Sequence, residues 1–312
     1  MNKQISLSNL EDELSQVRVP WNEWTAMIKP CYYKGERGNK PYDLELMLRL
    51  YLIQNLYNLA DEATVAEVTD SRAFSDFRGV ESSNQIPDGD TLGRFRNLLV
   101  KNELQEKLFS QVVEQLTAKG LILKKRTIVD STIIAAPTST KNKERKRDSD
   151  AHQTRKGNTW YFGYKAHIGV DKDSGLTHTV KATPANIHDV TMMSELLTGE
   201  EEVVYGDSGY LGAEKREEAI VKNRSGKLIK YKLNRRPSQS KDNSVRSKAQ
   251  IKRREREKSS VRSKVEHVLG VVKGLLRYRK TRYKGLRKQT AKLNIMFALA
   301  NLILAGRPHL AA

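Results

Sequence analysis

Residues 126–134 read RTIVDSTII, a short run of apolar and β-branched residues with a single acid, Asp130, near its middle. Such a run predicts a buried β-strand, because β-branched side chains pack well on a pleated surface. Further along the chain, strand-like runs alternate with helix-like stretches. Strands are expected at 160–170, 177–182, 203–206 and 228–233, and helices at 188–197, 213–221 and 287–304. This order predicts an α/β fold, a mixed sheet with helices on its faces.

The residues before this region have a helical pattern. Leu46, Leu50 and Ile53 recur at helical spacing after Asp43, a residue type that caps helix N-termini. Further helices are expected at 63–68, 91–100 and 104–117, and the polar stretch 136–158 is expected to be a loop. The sequence therefore predicts an all-helical N-terminal domain over 1–120 and an α/β domain over 121–312.

The charge is high and unevenly distributed. The chain of 312 residues has a formal net charge of +19, which divides into −4 for residues 1–120 and +23 for residues 121–312. A basic surface of this size favours a nucleic-acid partner, because neutralising phosphates releases counterions. A basic protein of the ribosomal or chaperone-like class is the alternative that the charge leaves open.

Cysteine content and hydropathy exclude other classes. The single cysteine, Cys31, excludes an intrachain disulfide framework and a cysteine zinc site. The longest apolar run, at 295–305, is too short to span a bilayer. We expect a soluble, cytoplasmic protein that does not bind membranes.

Two aspartates lie in similar apolar settings. Asp130 interrupts one strand-like run, and Asp207 ends another, VVYGD. A carboxylate in such a place is costly unless its charge is offset, and a divalent cation offsets it well. Capping of a turn is the simpler explanation for either aspartate alone.

A third carboxylate lies on a predicted helix at 261–277. At about 100° per residue, Glu266 shares a face with Arg262, Lys273 and Arg277, opposite a stripe of valines and leucines. An ordinary solvated amphipathic helix has the same pattern. Together, however, two aspartates and a glutamate form an all-oxygen set suited to Mg²⁺ or Mn²⁺.

The motifs around these carboxylates resemble the DDE transposases of bacterial insertion sequences, in particular the insertion sequence five family. The resemblance covers nearly the whole chain, with the motifs in family order: KPYDLELMLRL (40–50), SRAFSDFRG (71–79), PDGDTLGRFR (87–96), TIVDSTII (127–134), GYKAHIGVD (163–171), PANIHDV (184–190), YGDSGY (205–210) and RSKVEHVLGVVK (262–273). In related families a tyrosine precedes the last motif, and here Ser259 takes its place.

The resemblance implies a ribonuclease-H-like catalytic core in which Asp130, Asp207 and Glu266 bind two Mg²⁺ ions, with Mn²⁺ as a substitute. It implies a nucleoid-associated enzyme that cuts double-stranded DNA at the terminal inverted repeats of its element. The freed 3′-OH ends would then be transferred to target DNA by a homodimer or larger oligomer. A metal-dependent nuclease without strand transfer and a non-catalytic repressor derived from a transposase are the alternatives.

Several residues are candidates for DNA contacts. Arg262 and Lys273 lie on the Glu266 face, and Arg94 and Arg96 lie on a helix that would suit a helix-turn-helix reader or simple helix packing. Lys165 and His167 share one strand face, which could touch phosphate or simply be solvated. Trp160 and Tyr161 suit base stacking, although core packing is the commoner use of aromatic residues. The basic stretch 235–264 is expected to contact the DNA backbone.

Overall fold

The computed structural model of the protein describes residues 19–33, 40–70, 86–143, 145–234, 261 and 263–306. In these ranges a group of helices comes first and a six-stranded sheet follows, as expected from the sequence. None of the described helices is long and apolar enough to cross a membrane.

In the described ranges, five α-helices precede the sheet. They are α1 (Trp21–Ile28), α2 (Leu44–Leu56), α3 (Asp61–Asp70), α4 (Gly89–Lys101) and α5 (Leu104–Ala118). Two of them start at capping aspartates, since Asp43 accepts a hydrogen bond from the Leu46 amide at 3.0 Å and Asp88 accepts one from the Thr91 amide at 2.7 Å. The helices predicted from residues 43 to 117 and the cap predicted at Asp43 are confirmed.

The sheet is mixed. Its strands are β1 (Arg126–Ala135), β2 (His152–Lys156), β3 (Thr159–Asp171), β4 (Thr177–Pro184), β5 (Val203–Gly206) and β6 (Lys230–Leu233). The order is β2-β3-β1-β5-β6, and β4 also pairs with β3. β1 and β4 run antiparallel to β3, whereas β5 and β6 continue from β1 in parallel. This mixed sheet with flanking helices is the ribonuclease-H-like core that was predicted.

Side-chain alternation gives the sheet two different faces. Ile128, Ile134 and Ile168 point to one face, which joins the main hydrophobic core. Val129 and Val204 point to the other face, against the short helical segments that follow β4 and β5. The first of these faces, called the helix face below, also carries Asp130, because Asp130 is opposite Ile168.

Two helices cover the helix face. Helix α7 spans 263–270 and continues as a π-helix over Val271–Leu275, with Val265, Val268 and Val272 fully buried. Helix α8 (Leu286–Ala305) lies between the sheet and the N-terminal helices, since it packs on both α5 and β4. The main core is therefore continuous from α1 to α8, across the domain boundary expected near residue 120.

Three sequence predictions are wrong in detail. The expected loop 136–158 contains β2, which forms a hairpin with β3. The helix expected at 213–221 is only a 3-10 turn, Ala213–Lys215. The helix expected at 188–197 is a 3-10 turn, Asp189–Met192, followed by the single-turn helix α6 (Met193–Leu196). The final helix matches its prediction within one residue at each end.

Candidate active site

Asp130 and Asp207 lie on neighbouring parallel strands. β1 and β5 pair with Ile128 opposite Tyr205, and continuing this register by two residues brings Asp130 next to Asp207. Neighbouring strands are about 4.8 Å apart. Because both aspartates are an even number of residues from this pair, both side chains leave the sheet on its helix face.

Gly206 allows this close approach. A Cβ atom at position 206 would lie 3.1 Å from Val129 Cγ2 and 3.0 Å from Leu233 Cδ2. Any side chain there would push β5 away from its neighbours, because contacts this short are tighter than normal packing. The glycine in the motif YGDSGY therefore brings Asp207 close to β1.

Each aspartate also receives a backbone hydrogen bond. Asp130 Oδ1 accepts from the Ser131 amide at 2.8 Å, and Asp207 Oδ1 accepts from the Gly209 amide at 2.8 Å. The second bond caps the 3-10 turn Ser208–Tyr210. The capping role that the sequence left open is thus real for Asp207, and it fixes this carboxylate at the end of β5.

Helix α7 carries Glu266 over the same face. Lys264 Nζ donates to the Asp173 carbonyl at 3.1 Å, beyond the start of β1, and Lys273 Nζ donates to the Ile133 carbonyl at 2.7 Å, near its end. The helix therefore runs alongside β1 in the same direction, with Glu266 between these two anchors. Its side chain is exposed, on the side of the helix away from the buried valines.

The three carboxylates are not already arranged as a metal centre. Across the ranges that the structure describes, no group of three or more His, Cys, Asp or Glu side chains is placed to hold a metal ion. The two aspartates do lie side by side on the helix face of the sheet, and both are half-buried. Their oxygen ligands suit Mg²⁺. Glu266 contributes the third carboxylate from an exposed position on α7.

Lys273 connects helix α7 to a basic surface. Burial, together with the charges of Lys156 and Arg279, lowers the pKa of Lys273. Arg279 also donates to the Lys273 carbonyl at 2.8 Å. These three cations lie close together near the end of β1, where an anion would relieve their repulsion.

The cationic face predicted for α7 is only partly correct. The α-helix gives way to a π-helix at Val271 and ends at Leu275, so Arg277 lies beyond it with a left-handed backbone (φ 53°). Arg277 therefore does not share a helical face with Glu266, as the sequence predicted. Arg262 and residues 235–260 lie outside the described residues.

Lys165 and His167 share a face, as expected, but it is the face opposite Asp130. Lys165 Nζ donates to Asp189 Oδ1 at 2.9 Å and to the Ile187 carbonyl at 2.7 Å. His167 is fully buried and lies 2.8 Å from Thr183 Oγ1 through Nε2. Burial lowers its pKa to about 4, although nearby Asp189 acts in the opposite direction.

This polar cluster changes the expected roles of both residues. The prediction that His167 lies on a solvated strand face is wrong, because its side chain is fully buried. A contact between His167 and phosphate would need an exposed ring. The segment Asp189–Met192 packs instead against the turn that Asp207 caps, and Asp189 Oδ2 lies 3.5 Å from the Cβ position at Gly209. Asp189 therefore links Lys165 to the Asp207 turn.

Arg94 and Arg96 have different environments on α4. Arg94 is exposed. The Arg96 guanidinium forms two hydrogen bonds with the Asp61 carboxylate and stacks 4.1 Å from the centre of the Tyr283 ring. Arg96 therefore joins α3, α4 and the C-terminal part of the chain. For this residue the structure agrees with helix packing, the alternative to a helix-turn-helix reader of DNA.

The β2–β3 hairpin presents exposed aromatic residues. Trp160 is 65% exposed and Tyr161 is 37% exposed, so the expectation of core packing is wrong for Trp160. Trp160 pairs across the hairpin with Arg155, on the face of β3 that also carries Ile168. His152, Arg155 and Lys156 add exposed basic groups to the same hairpin.

Comparisons with known proteins agree with this geometry. Residues 123–302 match the family model described as "Transposase DDE domain", and residues 1–98 match the model described as "Transposase domain (DUF772)". No solved structure matches the chain. DDE transposases are metal-dependent polynucleotidyl transferases that bind DNA and generally use divalent ions such as Mg²⁺. Since the first model covers more than half of the chain, including both aspartates and α7, the protein belongs to the DDE transposase family.

Proposed function

We propose that this transposase cuts DNA at the ends of an insertion sequence of the insertion sequence five family and transfers the 3′-OH ends to target DNA. The observation that carries the proposal is the placement of Asp130 and Asp207 on adjacent parallel strands, facing the helix that carries Glu266. The two aspartates come from separate parts of the sequence and share one face of the sheet, and Glu266 lies on the helix that covers this face.

Asp130, Asp207 and Glu266 would hold two Mg²⁺ ions, or Mn²⁺ in their place. Bound there, the ions would activate the attacking oxygen and stabilise the leaving 3′ oxygen. Asp207 is fixed by its bond to the Gly209 amide, and Glu266 is exposed on α7. We propose that DNA and metal together draw Glu266 towards the aspartates, since the carboxylates repel one another without cations.

The DNA would lie across the basic side of the molecule. Lys273 on α7 and Arg262, which precedes α7 in the sequence, are the proposed contacts to phosphates near the cleaved bond, and Lys156 and Arg279 lie near Lys273. Arg94, exposed on α4, is the proposed contact of the N-terminal region (1–120) with the terminal inverted repeat. Residues 121–312 would form the catalytic region, and a homodimer or larger oligomer would hold two element ends together.

A cleavage and strand-transfer assay on labelled element-end DNA tests this proposal. Glu266→Gln keeps the shape of the side chain and removes its charge, so the variant should bind DNA but neither cut nor join it, in Mg²⁺ or Mn²⁺. Glu195→Gln, an exposed glutamate on α6, is the control and should retain both activities. Cutting without joined products would indicate a nuclease, and binding without cutting by the wild type would indicate a repressor.

A further inference from the structure

A basic cavity lies beyond the C-terminal end of β1. It has a volume of about 310 Å³ and lies between the loop that follows β1 and residues 281–284. Five cationic residues line it: Lys141, Lys146, Arg147, Arg282 and Lys284. This volume is at the lower end of the range of ligand pockets.

Asp148 is the only acid among the lining residues that the structure describes, and its carboxylate is engaged by the protein. Asp148 Oδ2 accepts hydrogen bonds from the Tyr164 hydroxyl at 2.6 Å and from the Gly285 amide at 3.0 Å, and the residue is 7% exposed. Asp148 therefore joins the two walls of the cavity. Because the Asp148 carboxylate is engaged in this way, the described lining keeps an excess of positive charge, and the cavity suits an anion.

A buried hydroxyl points to the same kind of ligand. Thr281 lines the cavity and is 4% exposed, and within the described structure its Oγ1 atom has no hydrogen-bond partner. A buried polar atom without a partner is costly, and the large majority of buried polar atoms in native proteins have a partner. Thr281 Oγ1 has almost no accessible surface, so a phosphate oxygen would accept its hydrogen bond only if the side chain turned towards the cavity.

The cavity lies close to the candidate active site. The Thr281 amide donates to the Ala135 carbonyl at 2.8 Å, at the end of β1. Asp130 is five residues earlier on the same strand, which corresponds to about 17 Å at roughly 3.3 Å per residue. Along the axis of a DNA duplex each base pair advances about 3.4 Å, so a duplex lying along β1 would cover this separation in about five base pairs.

We propose that this cavity binds one backbone phosphate of the DNA, about five nucleotides from the bond that is cut. The site rests on the proposed function, because the spacing is measured from Asp130. Arg282 donates to Asn58 and Arg147 to the Thr138 carbonyl, so two of the cations are held in place by neutral oxygens and keep their charge for the phosphate. The bound phosphate fixes the position of the strand in the active site.

Phosphate neutralisation tests the proposal. Binding of element-end DNA is measured in EDTA, with each phosphate in turn replaced by a neutral methylphosphonate. One position about five nucleotides from the cleaved bond should weaken wild-type binding about tenfold. The same replacement should have little effect on Thr281→Val, whose affinity for unmodified DNA is already reduced. Equal losses in the wild type and in Thr281→Val at every position would overturn the site.

Thr281→Val also separates a ligand role from a structural one. The variant removes a buried hydroxyl without a partner, so its melting temperature should equal or exceed that of the wild type while its DNA affinity falls. Thr281→Ser should retain affinity, because it keeps the hydroxyl. Reduced affinity together with a lower melting temperature, not rescued by Thr281→Ser, would make the residue structural and contradict the proposal.

Lysine variants supply an independent measurement. Lys141→Ala with Lys146→Ala should reduce the slope of log K against log salt by about one for each lost phosphate contact. Lys227→Ala, an exposed lysine near the opposite edge of the sheet, should leave the slope unchanged. Deoxynucleoside monophosphate is also tested as a competitor of labelled element-end DNA. If it competed as effectively as unlabelled DNA, the cavity would bind a free nucleotide, and the proposal of a backbone phosphate would be contradicted.

These measurements are separable from the proposed function, because they need no divalent metal and no cleavage. A protein that cuts and joins DNA without a phosphate contact dependent on Thr281 would overturn the cavity proposal alone. A protein that shows the contact but never cuts would overturn the proposed function alone.

Discussion

At the scale of single residues, Asp189 shows how a half-buried contact can support the carboxylate of a proposed metal ligand. Its Oδ1 accepts from Lys165 on β3, and its segment packs on the turn that Asp207 caps. The sequence could not reveal this contact, because residues 165 and 189 lie on different elements whose pairing depends on the fold. Asp130 and Asp207 were identifiable because each interrupts or ends an apolar run.

Asp189→Asn should reduce the rate of DNA cleavage about tenfold or more while leaving DNA affinity within a factor of two. The turn after β5 would lose its support, and small displacements of catalytic groups carry large costs in rate. Single-turnover cleavage at saturating DNA measures the effect. Glu195→Gln, which alters a surface ion pair with Lys181 nearby, is the control. An unchanged rate for Asp189→Asn would refute the supporting role.

Lys292 is the clearest case of a residue whose charge depends on folding. It is buried on α8 and donates to Asn55 Oδ1 at 2.8 Å. Burial, aided by the charges of Arg282 and Arg96, lowers its pKa from 10.5 to about 7. Between these two values the unfolded chain holds a proton that the folded protein lacks, so this group makes stability rise with pH from about 7 upwards.

Lys292→Met should remove that rise. Relative to the variant, the wild type should gain up to about 1.4 kcal/mol per pH unit in free energy of unfolding between pH 7.5 and 9.5. Below about pH 6.5 the difference should be constant. Denaturant titrations across this range measure it, with Lys288→Met, an exposed lysine one turn earlier, as the control. A difference that does not vary with pH would contradict the shifted pKa.

At the scale of elements, the sequence predicted those strands and helices that have a regular pattern of buried apolar residues. β1, β3 and β5 were identifiable because their apolar and β-branched residues face the core. β2 was not, because its sequence HQTRK is polar and mostly exposed, and its pairing with β3 supplies the order. The π-helical end of α7 was also missed, since the valines and leucines fit an uninterrupted α-helix equally well.

The β2–β3 hairpin is the element that we expect to contact DNA bases. Trp160→Ala should weaken DNA binding about five- to hundredfold, the usual effect of losing one base–aromatic stack. The free energy of unfolding should change by less than about 0.5 kcal/mol, because the side chain is mostly exposed. Competition binding and urea denaturation measure the two effects.

Leu228→Ala is the matched control for the hairpin. Leu228 is also 65% exposed, but it precedes the strand at the opposite edge of the sheet. It should change neither DNA affinity nor stability appreciably. If both variants weakened binding equally, the loss would not be specific to the hairpin, and the base contact would be rejected.

At the scale of the whole molecule, the sequence predicts two domains, and in the described residues one hydrophobic core extends across the expected boundary. The composition changes near residue 120, which is why a boundary was expected there. Helix α8, at the other end of the chain, nevertheless packs between α5 and β4, and Asn301 on α8 exchanges two hydrogen bonds with the Thr177 backbone. No local pattern in the sequence indicates such a long-range contact.

The chain should therefore unfold as one unit. A fragment of residues 121–312 would expose the face of α8 that packs on α5, so it should show no cooperative thermal transition and should bind hydrophobic dyes. The full-length protein should melt in a single transition followed equally by circular dichroism and fluorescence. A fragment that melts cooperatively at the temperature of the full-length chain would contradict the continuous core.

The central claim is that Asp130, Asp207 and Glu266 form one metal site on DNA. The most direct measurement is calorimetric titration of Mn²⁺ into the complex with element-end DNA, comparing the wild type with the double variant Asp130→Asn and Asp207→Asn. Asp173→Asn, outside the site, is the control. We predict that the wild type and the control bind two ions, and that the double variant loses at least tenfold in affinity. Equal Mn²⁺ binding by all three proteins would show that these aspartates do not hold the metal.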